Sequence, residues 1–330
     1  MSATEFEIIR RYFTRQQPQR ADVIAGIGDD AAVLQVPADS ELVVCIDTLV
    51  AAVHFPGSTP AAAIGHKALA VNLSDLAAMG ATPAWATLSL TLPDSNPVWL
   101  GDFSEGFFRL ADCYGVQLVG GDTTRGPLSV TVQAHGLVPR GRALRRHGAQ
   151  PGDRIYVTGT LGDAGLALRL EDHADNTIRQ RLDYPEPRVA AGQLLREYAS
   201  AAIDVSDGLL ADLGHLLEGD GPGASPGASI NIDALPRSSV FTATMQQSGF
   251  AQPHLFYELP LSAGDDYELC FTVPQRTCEV MEAMLSNQSI DCTAIGVIEP
   301  ESGIRCRKAN GEVYHPVTEG YQHFGSKESG

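Results

Sequence analysis

The sequence predicts an α/β protein, of α+β type in its mixing of strands and helices, built from two domains. Its 330 residues exceed the roughly 100–200 residues of a typical single domain. Strand-like and helix-like periodicities alternate in both halves of the chain. A basic stretch punctuated by Gly and Pro separates the halves and has neither periodicity. We therefore expect an N-terminal domain over 1–139, a linker over 140–152 and a C-terminal α/β domain over 153–330.

The spacing of apolar residues predicts the individual elements. The first is an amphipathic helix over 4–15, with Phe6, Ile9 and Phe13 on its inner face. The remainder of the first half is expected to contain strands at 41–50, 84–92, 116–120 and 129–138, and helices at 65–80 and 98–114. The second half is expected to contain strands at 154–159, 267–273 and 292–298, and helices at 163–171, 187–199, 207–218 and 275–286.

Charge and composition restrict the classes of partner. The net charge of −17 argues against nucleic acid or an anionic membrane, because both are negatively charged. Three of the 23 basic residues are Lys, and no G-x-x-x-x-G-K-[ST] stretch occurs, which excludes a Walker-type phosphate loop. No apolar run approaches the about 18 residues of a membrane span, and the N-terminus lacks the apolar core of a signal peptide.

The cysteines predict a cellular compartment. None forms a C-x-x-C pair, and several lie in apolar, strand-like stretches. The six residues are Cys45, Cys113, Cys270, Cys278, Cys292 and Cys306. This dispersed pattern is typical of reduced thiols, so we expect a cytoplasmic protein.

Acidic residues recur at the ends of apolar strands or beside Gly. The set comprises Asp29, Asp30, Asp47, Asp75, Asp122, Asp204, Asp207, Asp212, Asp265, Asp266 and Glu268. Burying an unpaired carboxylate, such as one within the apolar stretch VVCIDTLV, costs on the order of several kcal/mol. Carboxylates in a chain with few lysines suit a hard cation such as Mg²⁺, which neutralises bound phosphate.

Several of these carboxylates also have a purely structural explanation. The Asp29–Asp30 pair and Asp122 are typical of turns, and Asp207 is typical of a helix N-cap. Asp266 and Glu268 are consistent with solvated surface positions. What favours a metal site is the presence of so many such stretches in one chain.

Four further side chains and one glycine are candidates for ligand contacts. Gly121 allows a backbone N–H to approach a ligand closely. Arg125 and Arg146 are suited to forked hydrogen bonds with phosphate, or simply lie on the surface. His54 fits either a ligand contact or a structural role, and Tyr321 fits either a stacking platform or the core.

In chain order, these stretches resemble the thiamine-monophosphate kinase family, within the superfamily of aminoimidazole ribonucleotide synthetase and selenophosphate synthetase. The resemblance rests on GDDAAVL, DTLVAAVHF, KALAVNLSDLAAMGATP, LVGGDTTRGP, DVSDGLLADLGHL and GDDYELCF, and extends from EFEIIRRYF to GYQHF. It implies Mg²⁺-dependent, direct in-line transfer of the γ-phosphate of ATP to thiamine monophosphate, giving thiamine diphosphate and ADP. It also implies a two-domain aminoimidazole ribonucleotide synthetase-like fold, whose N-terminal sheets pair into a barrel across a homodimer.

The resemblance further implies roles for single residues, with no nucleophile among them. The implied metal ligands are Asp30, Asp47, Asp75, Asp122, Asp204 and Asp207, for several Mg²⁺ ions. The implied ATP contacts are Gly121, Asp122, Arg146 and Ser206. The implied contacts with thiamine monophosphate are His54, Asp265 and Tyr321.

The chain departs from the family pattern at three places. Cys45 and Ile46 stand where Ser or Thr is frequent, so any metal ligation there uses backbone carbonyls. Asp265 stands where Glu is frequent, and the shorter arm changes how substrate is held. Tyr321 stands where Trp is frequent, which weakens stacking.

Two other functions compete with this interpretation. One is another ATP-dependent enzyme of the superfamily, such as a selenophosphate synthetase-like protein. The chain lacks the reactive cysteine of that group, because its first cysteine, Cys45, lies in an apolar strand. The other is a non-catalytic protein that binds divalent metal, although no D-x-[DN]-x-[DN]-G loop is present.

Overall fold

A computed structural model describes residues 4–14, 20–218, 225–247, 252–318 and 320–321. The chain divides into two compact units. The first contains the chain up to Ala143 together with Asp183–Val189, and the second contains Leu144–Leu182 and the chain from Ala190 onward. The first boundary lies inside the stretch expected to be a linker, and a short segment of the second half belongs to the first unit.

The first unit combines two long helices with a four-stranded sheet. Its elements are α1 (Glu5–Ile8), a π-helical turn (Ile9–Phe13), β1 (Val23–Ala25), β2 (Val33–Leu34), β3 (Ser40–Val50), α2 (Ala61–Ala78), β4 (Thr82–Leu92), α3 (Pro97–Tyr114), β5 (Gln117–Arg125) and β6 (Ser129–Pro139). Strands β1 and β2 form a small antiparallel ribbon. The sheet has the order β3-β6-β4-β5, with β4 and β5 parallel and the other neighbours antiparallel.

The core of the first unit lies between one face of this sheet and the helices. Helix α2 packs on β3 and β6 and against α3. The two helices approach closely because each carries a glycine at the contact. A Cβ on Gly65 would lie 2.1 Å from the Phe103 carbonyl oxygen, and one on Gly106 would lie 1.9 Å from the Ala62 carbonyl oxygen. Any larger residue would force the helices apart.

The N-terminal helix differs from its prediction. Phe6 is 74% exposed, whereas Ile8 and Phe13 are buried, so the placement of Phe6 on the inner face is wrong. The segment changes from α-helix to a π-helical turn, in which the Thr14 N–H donates to the carbonyl of Ile9. Because a π turn is wider than an α turn, the 3.6-residue spacing no longer relates Phe6 to Phe13.

The second unit is built around a seven-stranded sheet. Its elements are β7 (Arg154–Thr158), α4 (Asp163–Leu170), a 3-10 turn (Glu171–His173), α5 (Asn176–Asp183), α6 (Val189–Leu195), β8 (Ala201–Asp204), α7 (Leu209–Leu217), β9 (Gly227–Asn231), a 3-10 turn (Ile232–Ala234), α8 (Ser239–Met245), α9 (Leu255–Ser262), β10 (Leu269–Val273), a 3-10 turn (Gln275–Thr277), α10 (Cys278–Asn287), β11 (Cys292–Glu299), β12 (Gly303–Arg307) and β13 (Val313–Tyr314). The sheet order is β13-β12-β9-β11-β7-β10-β8. Helix α7 contacts β8, β10 and β12 over a core that includes Ile203, Leu213 and Ile230.

The six cysteines are free thiols. Among the helices that the structure describes, none has the length and apolar character needed to span a membrane.

Residues Asp183–Val189, called the strap below, are held on the first unit by two side chains. The His66 ring lies with Nε2 2.8 Å from the carbonyl oxygen of Pro185, and the Tyr114 hydroxyl donates to the carbonyl of Pro187 at 2.9 Å. The His66 ring also meets the Tyr184 ring edge-on, at 5.2 Å between centroids. Burial, with a smaller contribution from Arg109, lowers the pKa of His66.

This lowered pKa predicts a specific pH dependence of stability. Below the ordinary His value of 6.5 the unfolded chain binds a proton that the folded His66 resists, so stability falls as pH drops through that value. We expect Tm to fall between about pH 7.5 and about pH 5.5 in the parent protein, and to fall less over this range in His66→Gln. Glutamine keeps a donor for the carbonyl of Pro185. His215→Gln, at an exposed histidine, serves as the control and should behave like the parent. Equal losses in the two variants would show that His66 is not the responsible group.

Candidate active site

A cavity of about 770 Å³ in the first unit brings together several predicted site residues. Its lining includes Asp29 and Asp30, from the loop between β1 and β2, and Gly121 and Asp122 of β5. The N-terminal helical segment 5–14 contributes to the lining as well. Of the residues predicted to bind metal or ATP, Asp30, Gly121 and Asp122 therefore line the same cavity.

Asp122 lies within a strand, so its interpretation as a turn residue is wrong. Strand β5 continues past the predicted end because it stays paired with β4 as far as Leu92 and Arg125. Asp122 is exposed and lies opposite Ser89, whereas its neighbour Thr123 is buried. Since successive residues of a strand face opposite sides, Asp122 points away from the helix-covered core.

Gly121 is a glycine for reasons of packing. Its φ is +153°, and a Cβ there would lie 1.9 Å from the carbonyl oxygen of Leu88 on β4. The register between β4 and β5 shifts just before this point, between Ala86 and Thr87. The absence of a side chain therefore lets the two strands remain paired next to Asp122.

The two adjacent aspartates of the β1–β2 loop have different roles. Asp29 Oδ1 accepts the backbone N–H of Asp30 at 2.9 Å, so Asp29 stabilises the bend of the loop. Gly28, with φ of +121°, provides the conformation that begins the bend. Asp30 is exposed along the cavity and remains the candidate for ligand binding.

Asp47 and Asp75 lie on the helix-covered side of the same sheet. Cys45 donates its thiol to the Asn72 carbonyl of α2 at 3.3 Å, and Asp47, two residues later, shares that face of β3. Asp75 lies about one turn beyond Asn72 on α2. Both carboxylates are half-buried.

The structure does not place Asp47 next to Asp122 within one chain. Asp47 is in register with Val132, Leu88 and Gly121 across the four strands, so it lies in the row beside that of Asp122. Three inter-strand spacings of about 4.8 Å separate the outer strands by about 14 Å. The two carboxylates therefore occupy opposite edges and opposite faces of the sheet.

His54 has a structural contact at the end of β3. Its Nδ1 accepts the backbone N–H of Val50 at 2.9 Å, which closes the turn that contains Ala52 at a φ of +64°. Because Nδ1 accepts, the proton of the neutral ring is on Nε2. His54 therefore has the structural role weighed from the sequence, and its contact with substrate stays a prediction.

In the second unit, four predicted site residues lie near strand β8. Asp204 ends β8 and is 4% exposed. The carbonyl of the following Ser206 accepts the backbone N–H of Asp265 at 2.8 Å, which joins a predicted ATP contact to a predicted substrate contact. Arg146 lies beside the same strand, because the carbonyl of its neighbour Arg145 accepts the N–H of Ala202 at 3.0 Å. The side chain of Arg146 is exposed.

Tyr321 reaches the same place through its backbone. Its N–H donates to the Asp207 carbonyl at 2.9 Å, and its side chain is 45% exposed. The interpretation of Tyr321 as a core residue is therefore wrong. An exposed ring beside Asp207 is compatible with a stacking platform.

Asp212 belongs to the recurring acidic residues, but its sequence context predicts no role for it at the site. Asp212 Oδ2 accepts the backbone N–H groups of Ser206 and Asp207 at 3.0 and 3.1 Å. Burial raises the pKa of Asp212 to about 8, and the neighbouring carboxylates of Asp204 and Asp207 add to this. Asp207 is not an N-cap, because α7 begins after Gly208 and has no side-chain cap. The stretch DVSDGLLADL contains all these aspartates, and its final Asp was the available signal.

Asp265 has a left-handed conformation and precedes two buried acidic residues, Asp266 and Glu268. Its φ is +61°. Asp266 accepts the Gly162 N–H at 2.9 Å, and Glu268 accepts hydrogen bonds from Thr158 at 2.6 Å and Arg181 at 2.7 Å. Asp266 and Glu268 are 6% and 0% exposed, so their interpretation as solvated residues is wrong. Burial raises the pKa of Asp266 well above its usual range.

The chemistry of the donors fits a hard divalent cation. The candidate ligands in both units are carboxylates, which Mg²⁺ prefers. The carboxylates of Asp204 and Asp207 raise the pKa of Asp212 because the three negative charges repel one another. A cation bound beside them would relieve this repulsion. Over the part of the chain that the structure describes, no group of three or more His, Cys, Asp or Glu side chains is already arranged around a metal position.

Comparison with known proteins identifies the family. The N-terminal domain of AIR synthase related proteins matches residues 28–138. The thiamine-monophosphate kinase of Escherichia coli K12 is 47% identical over 336 aligned residues, which cover 98% of this chain and 99% of that protein. The chain belongs to the thiamine-monophosphate kinase family. This confirms the family and the kinase class inferred from the sequence motifs.

Solved structures of the thiamine-monophosphate kinase family share the fold. That of Stenotrophomonas maltophilia K279a is 46% identical, with a TM-score of 0.80 over 90% of this chain and 93% of that one. AaThiL, complexed with AMPPCP and TMP, is 31% identical, with a TM-score of 0.72 over 84% and 88% of the two chains. The aminoimidazole ribonucleotide synthetase-like fold expected from the sequence is thereby confirmed.

Proposed function

We propose that the chain transfers the γ-phosphate of ATP to thiamine monophosphate, giving thiamine diphosphate and ADP. The observation that supports this most strongly is the 47% identity, over nearly the full length of both chains, with the E. coli thiamine-monophosphate kinase. AaThiL, which is 31% identical, was complexed with AMPPCP and TMP, and these ligands correspond to the two substrates. The reaction belongs to thiamine diphosphate biosynthesis, and six free thiols favour the cytoplasm as its place.

The transfer is direct and in line. The acceptor phosphate is already an anion at neutral pH, so the reaction needs no strong general base and no phosphoenzyme. Its barrier is the repulsion between two anions. When bound, Mg²⁺ supplies the neutralising charge, and the residues that would hold it are Asp30, Asp47, Asp75, Asp122, Asp204 and Asp207.

The remaining roles concern binding and orientation. Gly121, Asp122, Arg146 and Ser206 bind ATP, and His54, Asp265 and Tyr321 bind thiamine monophosphate. The 2.8 Å hydrogen bond between Ser206 and Asp265 supports this assignment, because it ties a nucleotide residue to a substrate residue. The left-handed Asp265 supports it as well, since such conformations collect at functional sites.

We further propose a homodimer in which the N-terminal sheets pair into a barrel. On β3, Leu42, Val44 and Ile46 are 44%, 47% and 60% exposed and share the sheet face opposite α2. A second copy would cover this apolar row. Sedimentation of the parent protein should give twice the 35.1 kDa of one chain.

The decisive assay incubates the purified protein with ATP, Mg²⁺ and thiamine monophosphate. We expect thiamine diphosphate and ADP in equal amounts, separated by chromatography. Unphosphorylated thiamine is the matched control acceptor and should not be consumed. ATP hydrolysis without thiamine diphosphate would instead favour another enzyme of the superfamily, and the absence of any turnover would favour a metal-binding protein.

Tyr321→Ala is expected to raise the KM for thiamine monophosphate about fivefold and to change the KM for ATP little. The exposed ring is placed to stack on the thiamine group, and one aromatic contact contributes on the order of 1 kcal/mol. Tyr321→Phe is the matched variant and should behave like the parent, because it keeps the ring. Equal effects on both substrates would rule out a substrate-specific role.

A further inference from the structure

In the turn Val205–Asp207, which follows β8, every backbone N–H and every carbonyl has a hydrogen-bond partner. The Val205 N–H donates to Glu268 at 2.7 Å, and its carbonyl accepts from Tyr267 at 2.8 Å. The carbonyl of Ser206 accepts from Asp265, and that of Asp207 accepts from Tyr321. The N–H groups of Ser206 and Asp207 donate to Asp212.

This pattern determines how the turn can meet a ligand. Backbone N–H groups bind phosphate only when they point outward and lack a partner in the protein. In this turn both candidate N–H groups point inward, to a buried carboxylate. Any contact of Ser206 or Asp207 with a phosphate group must therefore come from the side chain.

Asp212 is the one side chain among these backbone partners. Its Oδ2 accepts both N–H groups, and the residue is 3% exposed in the first turn of α7. The other contacts come from the backbone of the segment 265–268 and of Tyr321. Gly264 and Gly208 make this close apposition of loops possible, because a Cβ on either would lie within 2.9 Å of backbone atoms of the other loop.

We propose that Asp212 is a positioning residue for the phosphoryl-transfer site. It fixes the Ser206–Asp207 turn through two hydrogen bonds to a single oxygen, so that the Ser206 and Asp207 side chains point to the ligand. The catalytic significance rests on the proposed function, but the structural role does not. Residue 212 must provide an acceptor oxygen at the distance from the main chain that an Asp side chain gives, and its charge is not required.

Three substitutions separate the position of the acceptor oxygen of residue 212 from its negative charge. Asp212→Asn keeps an acceptor oxygen at the same reach without the charge. Asp212→Glu keeps the charge on a longer arm, and Asp212→Ala removes both. We expect kcat to fall about 100-fold in the Ala variant, about tenfold or more in the Glu variant and less than about fivefold in the Asn variant. Values are taken per folded protein, with KM measured for both substrates.

Amide hydrogen exchange gives a second readout that does not depend on activity. The N–H groups of Ser206 and Asp207 should exchange slowly in the parent and the Asn variant and quickly in the Ala variant. If the parent produced no thiamine diphosphate, the proposed function would fail, and exchange would still test the turn.

Two results would overturn the proposal. The first is an Asn variant as inactive as the Ala variant with both amides still protected, which would make Asp212 a charge-dependent ligand. The second is a set of variants that differ in Tm alone, with unchanged kcat per folded protein. If the Ala variant does not fold, the order of the Asn and Glu variants still decides between reach and charge.

Discussion

Asp122→Asn is expected to lower kcat by about 10²–10³-fold and to change Tm by little. Asp122 is exposed on the face of β5 opposite the helices, so its loss removes no core contact. It lines the same cavity as Asp30, where carboxylate charge is proposed to hold the metal that neutralises phosphate. An amide keeps the size of the side chain but lacks that charge. Steady-state kinetics over a range of Mg²⁺ concentrations, with Tm measured in parallel, gives the test.

Asp102→Asn is the matched control for this substitution. Asp102 is exposed on α3 in the same unit, so the variant has the same net charge without a change at the cavity. We expect its kcat within about twofold of the parent, as for a surface change. Asp47→Asn should impair turnover as Asp122→Asn does. Near-parental activity of either variant at limiting Mg²⁺ would remove that residue from the proposed ligand set.

Gly121→Ala is expected to destabilise the protein by about 3 kcal/mol or more. The added Cβ would lie 1.9 Å from the Leu88 carbonyl oxygen, a backbone atom that cannot move without separating β4 from β5. The φ of +153° adds strain for any residue with a side chain. Denaturant unfolding of the folded variant, or its absence from the soluble fraction, is the measurement.

Gly101→Ala tests the same chemical change where there is room. Gly101 lies in α3, and a Cβ there would meet no atom within 4 Å. Alanine in a helix interior is about 0.5–1 kcal/mol more favourable than glycine, so this variant should be slightly more stable. If both variants had parental stability, glycine at 121 would reflect ligand approach and not strand packing.

The sequence predicted the long elements well, because their patterns are strong. Strand β3, helix α2 and strand β4 have apolar patterns of nine residues or more, and each was found within a few residues of its predicted ends. The prediction ended β5 at Gly120, since Gly-Gly-Asp is typical of a turn. Tertiary pairing with β4 overrides that local preference, and the strand continues to Arg125.

For the candidate site, the sequence indicated which residues matter but not their arrangement. Asp30 and Asp122 share a cavity, Ser206 meets Asp265 through a backbone hydrogen bond, and Asp207 meets Tyr321 through another. The separation of Asp47 from Asp122 follows from a strand order that the sequence does not encode locally. The inward roles of Asp212 and Asp266 were also hidden, since a buried acceptor and a solvated carboxylate look alike in a sequence.

The strap has a consequence for how this protein can be divided or recombined. The chain passes between the two units three times, at Ala143, at Leu182 and at Val189. A single protease cut in the 140–152 stretch would therefore leave the strap on the fragment that carries the second unit, and the strap would stay on the rest of the first unit through non-covalent contacts alone. Likewise, a gene fusion at that stretch would join the first unit of one relative to the strap of another. Such a chimaera would work only where the new strap still met His66 and Tyr114, so these two contacts restrict which halves can be exchanged.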